Sequence, residues 1–320
     1  MKMKILMLIM LFLTLFSACE KKPVKPSTNV EKIEYLTHNS CTVSVNYNFG
    51  SYNEANTKQG LCFSLNPEPS MDDNILLYSN IIDNMANKRV FFLVGLQANT
   101  TYFVRSYIIP VGEDEISYSS ATEFKTKDVE YFTDARDNKK YPVIKIDEDH
   151  WIAENLSYEV VGNSWYYDND NANMKYGRLY NYEGALAAIP DGWHLPTDEE
   201  WTNLEKNIYL EDSLLSKDVE KGRYEASKLK QIGSDFWYNP GGTNETGFTA
   251  LPGGFFGPKN QELGINEQFS GLSTKGFFLT STAYDDDTIW VRKMIDSDNK
   301  IYRQKELKER GFSVRCIKNK

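Results

Sequence analysis

Cysteine and histidine are scarce in this chain, and each scarcity removes a class of chemistry. Four cysteines in 320 residues, at positions 19, 41, 62 and 316, cannot build a disulfide scaffold. The three histidines, His38, His150 and His194, lie far apart and form no zinc-ligand set. Positive charge is also in deficit, with 36 Lys and Arg against 45 Asp and Glu, a formal charge of −9. Nucleic acids select basic surfaces, and so do anionic lipids, so neither is an expected partner. No apolar run reaches the roughly 20 residues of a spanning helix. A phosphate-binding loop is missing too, because Pro252-Gly253-Gly254 lacks a Lys and a following helix.

What is present begins with a leader. Lys2 and Lys4 precede an apolar stretch from Ile5 to Phe16, broken only by Thr14, and Phe16-Ser17-Ala18-Cys19 follows. Two small residues before a cysteine resemble the lipobox of bacterial lipoproteins, where the cysteine is acylated and becomes the first mature residue. The resemblance implies a signal peptide over 1–18, lipidation at Cys19, and a bilayer partner held by several acyl chains. A plain signal peptide is the competing reading. Loss of residues 1–18 takes away Lys2 and Lys4 and makes the formal charge −11. Residues 19–29, with Lys21, Lys22, Pro23, Lys25 and Pro26, read as an extended tether.

From Val30 to Lys127 the pattern is all β. Thr42 to Tyr47 alternates strictly and puts Val43, Val45 and Tyr47 on one face. Further strands are expected at 60–65, 89–94, 101–110 and 117–125, the spacing of a β-sandwich. Leu96-Gln97-Ala98-Asn99-Thr100-Thr101-Tyr102 resembles the tyrosine-corner stretch of fibronectin type III domains, with Ala98 in place of the usual Pro. Gly60-Leu61-Cys62-Phe63-Ser64 resembles a strand of Bacteroidetes surface lipoproteins. Cys41 and Cys62 either pair across the sheets or pack as separate small thiols.

A different kind of sequence starts near Tyr131. Its blocks include His150-Trp151-Ile152-Ala153-Glu154-Asn155-Leu156, Tyr176-Gly177-Arg178-Leu179-Tyr180-Asn181 and Gly192-Trp193-His194-Leu195-Pro196-Thr197. They continue with Gly247-Phe248-Thr249-Ala250-Leu251-Pro252-Gly253-Gly254, Trp290-Val291-Arg292 and Gly311-Phe312-Ser313-Val314-Arg315-Cys316. In this order they resemble the Fibrobacter succinogenes major paralogous domain, over residues 131–320. That resemblance implies an α+β, C-type-lectin-like fold after the immunoglobulin/fibronectin III-like all-β sandwich. Independently, Thr197 to Glu200 forms a capping box, and Trp201, Leu204 and Ile208 give the helix it starts one apolar stripe. Helices are also expected over Asn181–Ile189 and Arg223–Ile232. The closing strand Phe312–Ile317 alternates, with Phe312, Val314 and Cys316 on one face. Relatives carry Cys where Ile189 stands, so the resemblance implies that Cys316 has no partner.

For function, the residues point away from catalysis. His194 sits in a structural block with no nucleophile-like Ser or Cys nearby. The formylglycine-generating enzyme shares the related fold, but its chemistry needs paired cysteines. Asp168 and Asp170, and Asp285 and Asp287, offer hard oxygen ligands suited to Ca²⁺, although without EF-hand spacing, so solvated turns compete with calcium sites. Trp165, Tyr166, Tyr167, Trp237, Tyr238 and Asn239 lie in polar, loop-like surroundings and are the candidate ligand-binding residues, since aromatic faces stack on sugars. The leading expectation is a non-enzymatic lipoprotein of the outer membrane and cell surface, binding a glycan or mediating adhesion. The alternative is a structural or assembly subunit of the cell envelope with a protein partner.

Overall fold

The computed structural model describes residues 22–77, 87–208, 220–257 and 268–320. The leader and Cys19 lie outside the described residues. The chain is largely β, with few helices. Among the described residues no helix is long and apolar enough to cross a membrane.

The N-terminal strands are β1 (Ser27–Glu34), β2 (Ser40–Asn48), β3 (Thr57–Ser64), β4 (Asn74–Leu77), β5 (Lys88–Val94), β6 (Thr101–Pro110), β7 (Ser117–Tyr118) and β8 (Thr122–Lys125). One antiparallel sheet runs β1-β2-β5; the other runs β4-β3-β6-β7, with β8 also on β6. Val43, Val45 and Tyr47 from the first sheet share one apolar cluster with Leu61, Val104 and Phe124 from the second, which makes the pair a sandwich. The Gln97 N–H donates to the Tyr102 hydroxyl oxygen at 3.0 Å, tying the ring to the backbone five residues upstream. Cys41 and Cys62 are separate buried thiols. Burial raises their pKa to about 12 and about 11.

Strict alternation in β2 predicts one covered face. Both are covered, because Thr42 and Ser44 are buried as well. Their side of the strand lines a cavity of about 330 Å³ together with Gly241, Gly242 and Thr243.

In the C-terminal part, one sheet orders Trp193–His194, Ile317–Lys318, Asp149–Ile152, Lys140–Ile146 and Glu130–Thr133. A larger sheet is centred on Lys275–Ala283 and Thr288–Ile295. Helix α1 (Tyr182–Ala188) is capped by Asn181, whose side chain accepts from the Gly184 N–H at 2.8 Å. Helix α2 (Asp198–Asn207) starts with the expected reciprocal capping box of Thr197 and Glu200. Its Trp201 and Leu204, with Ile208 just beyond, enter a core cluster with Trp151, Trp237, Phe248 and Phe278.

Three expected elements differ. The strand expected at 117–125 is broken into β7 and β8. Instead of a helix over 223–232 there is one 3-10 turn, Glu225–Lys228. The Gln231 N–H donates to Ala250 O and the Ala250 N–H to Leu229 O, so a bridge to another segment replaces helical hydrogen bonds. The closing strand is split into Phe312–Ser313 and Ile317–Lys318. Ser313 and Arg315 are as buried as Phe312, Val314 and Cys316; the alternation fails because Arg315 serves the interior.

Candidate functional site

Arg315 is fully buried and collects acceptors from several segments. Its Nε donates to Asn155 Oδ1 at 2.9 Å, Nη1 to Phe248 O at 2.7 Å, and Nη2 to Thr249 O at 2.7 Å. The guanidinium also lies 4.4 Å from the Phe248 ring centroid. Among the described residues no carboxylate hydrogen-bonds to it. Burial lowers its pKa to about 9, which still leaves it a cation at neutral pH. Asn155 is fixed from its other end, Nδ2 donating to Tyr176 O and Ser313 Oγ. Thr249 adopts a φ of 56°, held there by its N–H donating to Asn244 Oδ1 at 2.7 Å.

Above this clamp lies a cleft of about 330 Å³. Its floor is Asn155, Gln231, Thr249 and Leu251, and Phe236 forms a wall. Gly177 lines it at a φ of 78°, where a Cβ would sit 2.6 Å from Asn155 Cβ, so the position admits no side chain. Lys139, Glu154, Met174, Lys175 and Asp235 complete the C-terminal side, while Asn39, Val94 and Gly95 come from the sandwich. Lys139 Nζ donates to Ser157 Oγ at 2.8 Å, and burial pulls its pKa down. Lys175 Nζ sits 5.5 Å from the Phe236 ring centroid.

Gln231 distinguishes this cleft. It is 5% exposed, and its buried Oε1 has no hydrogen-bond partner among the described residues. A buried carbonyl without a donor costs free energy on the order of 1–3 kcal/mol. A larger cavity of about 500 Å³ holds both His38 and His150 beside Lys127, Glu130 and Glu245. Among the described residues, none of its lining side chains carries such an orphaned atom.

The residues singled out from sequence separate into different places. Trp165 stacks on Phe256 at 3.9 Å, Arg178 covers Tyr166 at 4.0 Å, and Tyr167 packs against Phe269 at 5.4 Å. Their faces are largely occupied by the protein itself. Trp237, expected at the surface, is buried in the core, and its Nε1 donates to Ala250 O at 3.0 Å. Tyr238 next to it is 76% exposed. Asn239 donates to Asp296 Oδ2 at 3.1 Å. His194 bridges Glu200 and Asn319, both ring nitrogens within 2.8 Å of an oxygen.

For the metal candidates, Asp168 has a φ of 57° and Asp170 Oδ1 accepts from the Ala172 N–H. Asp285 Oδ1 accepts from the N–H groups of Asp287 and Thr288, and Lys308 Nζ donates to the carbonyls of Asp285 and Asp286. Among the described residues no three His, Cys, Asp or Glu side chains are placed to share an ion. Gln231 and Arg315 escape a sequence reading. The only signal was that Asn155, Gly177, Thr249 and Arg315 each belong to a distinct sequence block, and blocks far apart in the chain meet where a site is built.

Together these features define a mostly β protein in which sequence blocks far apart in the chain meet at one clamped, polar-floored cleft. Residues 144–318, more than half of the chain, match the Fibrobacter succinogenes major domain, and the chain belongs to that family. No curated protein matches the chain. Among solved structures, the sensor domain of the anti-sigma factor RsgI4 of Pseudobacteroides cellulosolvens is similar over 33% of this chain. The short form of that domain is 18% identical with 97% of it covered, at a TM-score of 0.23. Its solution structure is 15% identical with 76% covered, again at 0.23.

Proposed function

We propose that this chain is a non-enzymatic lipoprotein of the bacterial outer membrane and cell surface, anchored by acylated Cys19, that binds glycans. In this reading residues 30–127 are a fibronectin type III-like sandwich and residues 131–320 a C-type-lectin-like domain. The strand pairing supports that division, since each sheet draws its strands from one side of residues 128–129 alone. The observation that carries the function is the cleft over Arg315. It offers an unpartnered amide oxygen at its floor, an aromatic wall, and charged side chains at its rim, the mixture that orients a hydroxyl-rich ligand. Exposed Tyr238 beside Asn239 supports a second, outer contact.

A glycan array probed with the full chain tests the reading. Binding to a defined set of glycans is expected, weakened by Gln231→Leu; a blank array with folded protein overturns it. Acyl labelling of the wild type, lost in Cys19→Ser, is the expected result for the anchor. Labelling that persists in the variant contradicts the anchor.

A further inference from the structure

We propose that the cleft recognises the acetamido group of an N-acetylhexosamine, with Gln231 as the residue that selects it. This inference rests on the glycan-binding reading and names the sugar class. The floor holds three polar side chains, and two are spent. Both ends of the Asn155 amide are engaged, Oδ1 by Arg315 and Nδ2 by Tyr176 O and Ser313 Oγ. The Thr249 hydroxyl donates to Gly247 O and accepts from Asn244 Nδ2, each at 3.1 Å. Gln231 Oε1 remains, buried and without a donor.

The vacant acceptor takes a donor, which excludes a carboxylate or phosphate in contact with it. A sugar hydroxyl donates, but it also carries oxygen lone pairs into the floor. An acetamido N–H donates once and brings no lone pair at the donor atom. Its methyl group suits the apolar surface that Leu251, Phe236 and Val94 contribute to the same cleft. Lys139 and Lys175 supply donors for its carbonyl, and Asp235 supplies an acceptor for ring hydroxyls. A space of about 330 Å³ lies at the small end of ligand pockets, which suits one or two sugar rings.

Calorimetry of the full chain in detergent tests the assignment, titrating N-acetylglucosamine, N-acetylgalactosamine and N-acetylmannosamine, each beside its parent hexose. At least one acetylated sugar is expected to bind about tenfold or more tighter than its parent. Gln231→Leu is expected to bring that ratio near one, while Tyr224→Ala, at an exposed tyrosine outside the cleft, leaves it intact. Should Gln231→Leu fail to fold, Phe236→Ala carries the same expectation through loss of the methyl contact. Equal binding of acetylated and parent sugars, or binding only of glycans without acetamido groups, overturns the acetamido assignment and leaves glycan binding standing. A blank titration combined with a blank glycan array removes both.

Discussion

The two parts of the molecule bury their charges differently. In the sandwich, long ladders such as β3 on β6, paired from Thr57 to Ser64, satisfy the backbone internally. Its core is correspondingly apolar, and its buried Arg89 pairs with the exposed Glu54. The C-terminal part has many two-residue strands and long connections, which leave carbonyls inside without ladder partners. Charged side chains fill that role. Arg315 serves carbonyls of 248 and 249, and Lys230 Nζ donates to Ile295 O and Asp298 O. Glu205, fully buried, accepts from both Lys221 and Arg292, and Asp198 joins Arg292 to Arg303. Irregular backbone thus recruits buried cations, and the same irregularity shapes the cleft.

The sharpest break of this contrast comes from Arg315→Met. It strands Asn155 Oδ1 and the carbonyls of Ile152, Phe248 and Thr249 in a fully buried space, and a loss of about 3–5 kcal/mol is expected in denaturant unfolding. A loss under about 1 kcal/mol would mean that the carbonyls find other donors. In the sandwich an apolar truncation is the matching test. Leu61→Ala is expected to cost about 2–4 kcal/mol by leaving a cavity, without any change in pH or salt response.

The seam between the parts supplies a pH test. Burial lowers the His38 pKa from 6.5 to about 4. Between those values the unfolded chain binds the proton and the folded chain does not. Stability is therefore fully present above pH 6.5 and falls as pH drops toward 4, by roughly 2–3 kcal/mol from this group. Subtracting the profile of His38→Gln from wild type, each followed by thermal melting, isolates that slope; parallel profiles would refute it. His150, Asp128, Glu130, Glu245, Lys127 and Lys145 line the same cavity and contribute to both profiles alike. The smallest effect belongs to the surface end of α2. Thr197→Ala removes one half of the capping box and is expected to cost about 1 kcal/mol, read as a modest drop in melting temperature.

Regular parts of the fold were legible in the sequence where local rules decide. The strand expected at 101–110 forms over those residues, and the capping box of Thr197 and Glu200 is in place. Where distant segments decide, local pattern does not reach. Trp237 sits among polar residues and reads as a loop aromatic, yet Ala250, thirteen positions on, supplies its acceptor and draws it inside. Arg315 falls on what alternation marks as a solvent face, but carbonyls from 248 and 249 turn that face inward. Gln231 was invisible for the same reason. Its importance lies in a partner it lacks, which no spacing encodes.

A crystal structure of the chain with a glycan selected on the array is the most direct test of the site. Density for a sugar is expected in the cleft, with a donor on Gln231 Oε1 and an apolar group against Phe236. A sugar seated instead on Tyr238 or on the Trp165 cluster, with the Gln231 cleft empty, would contradict it.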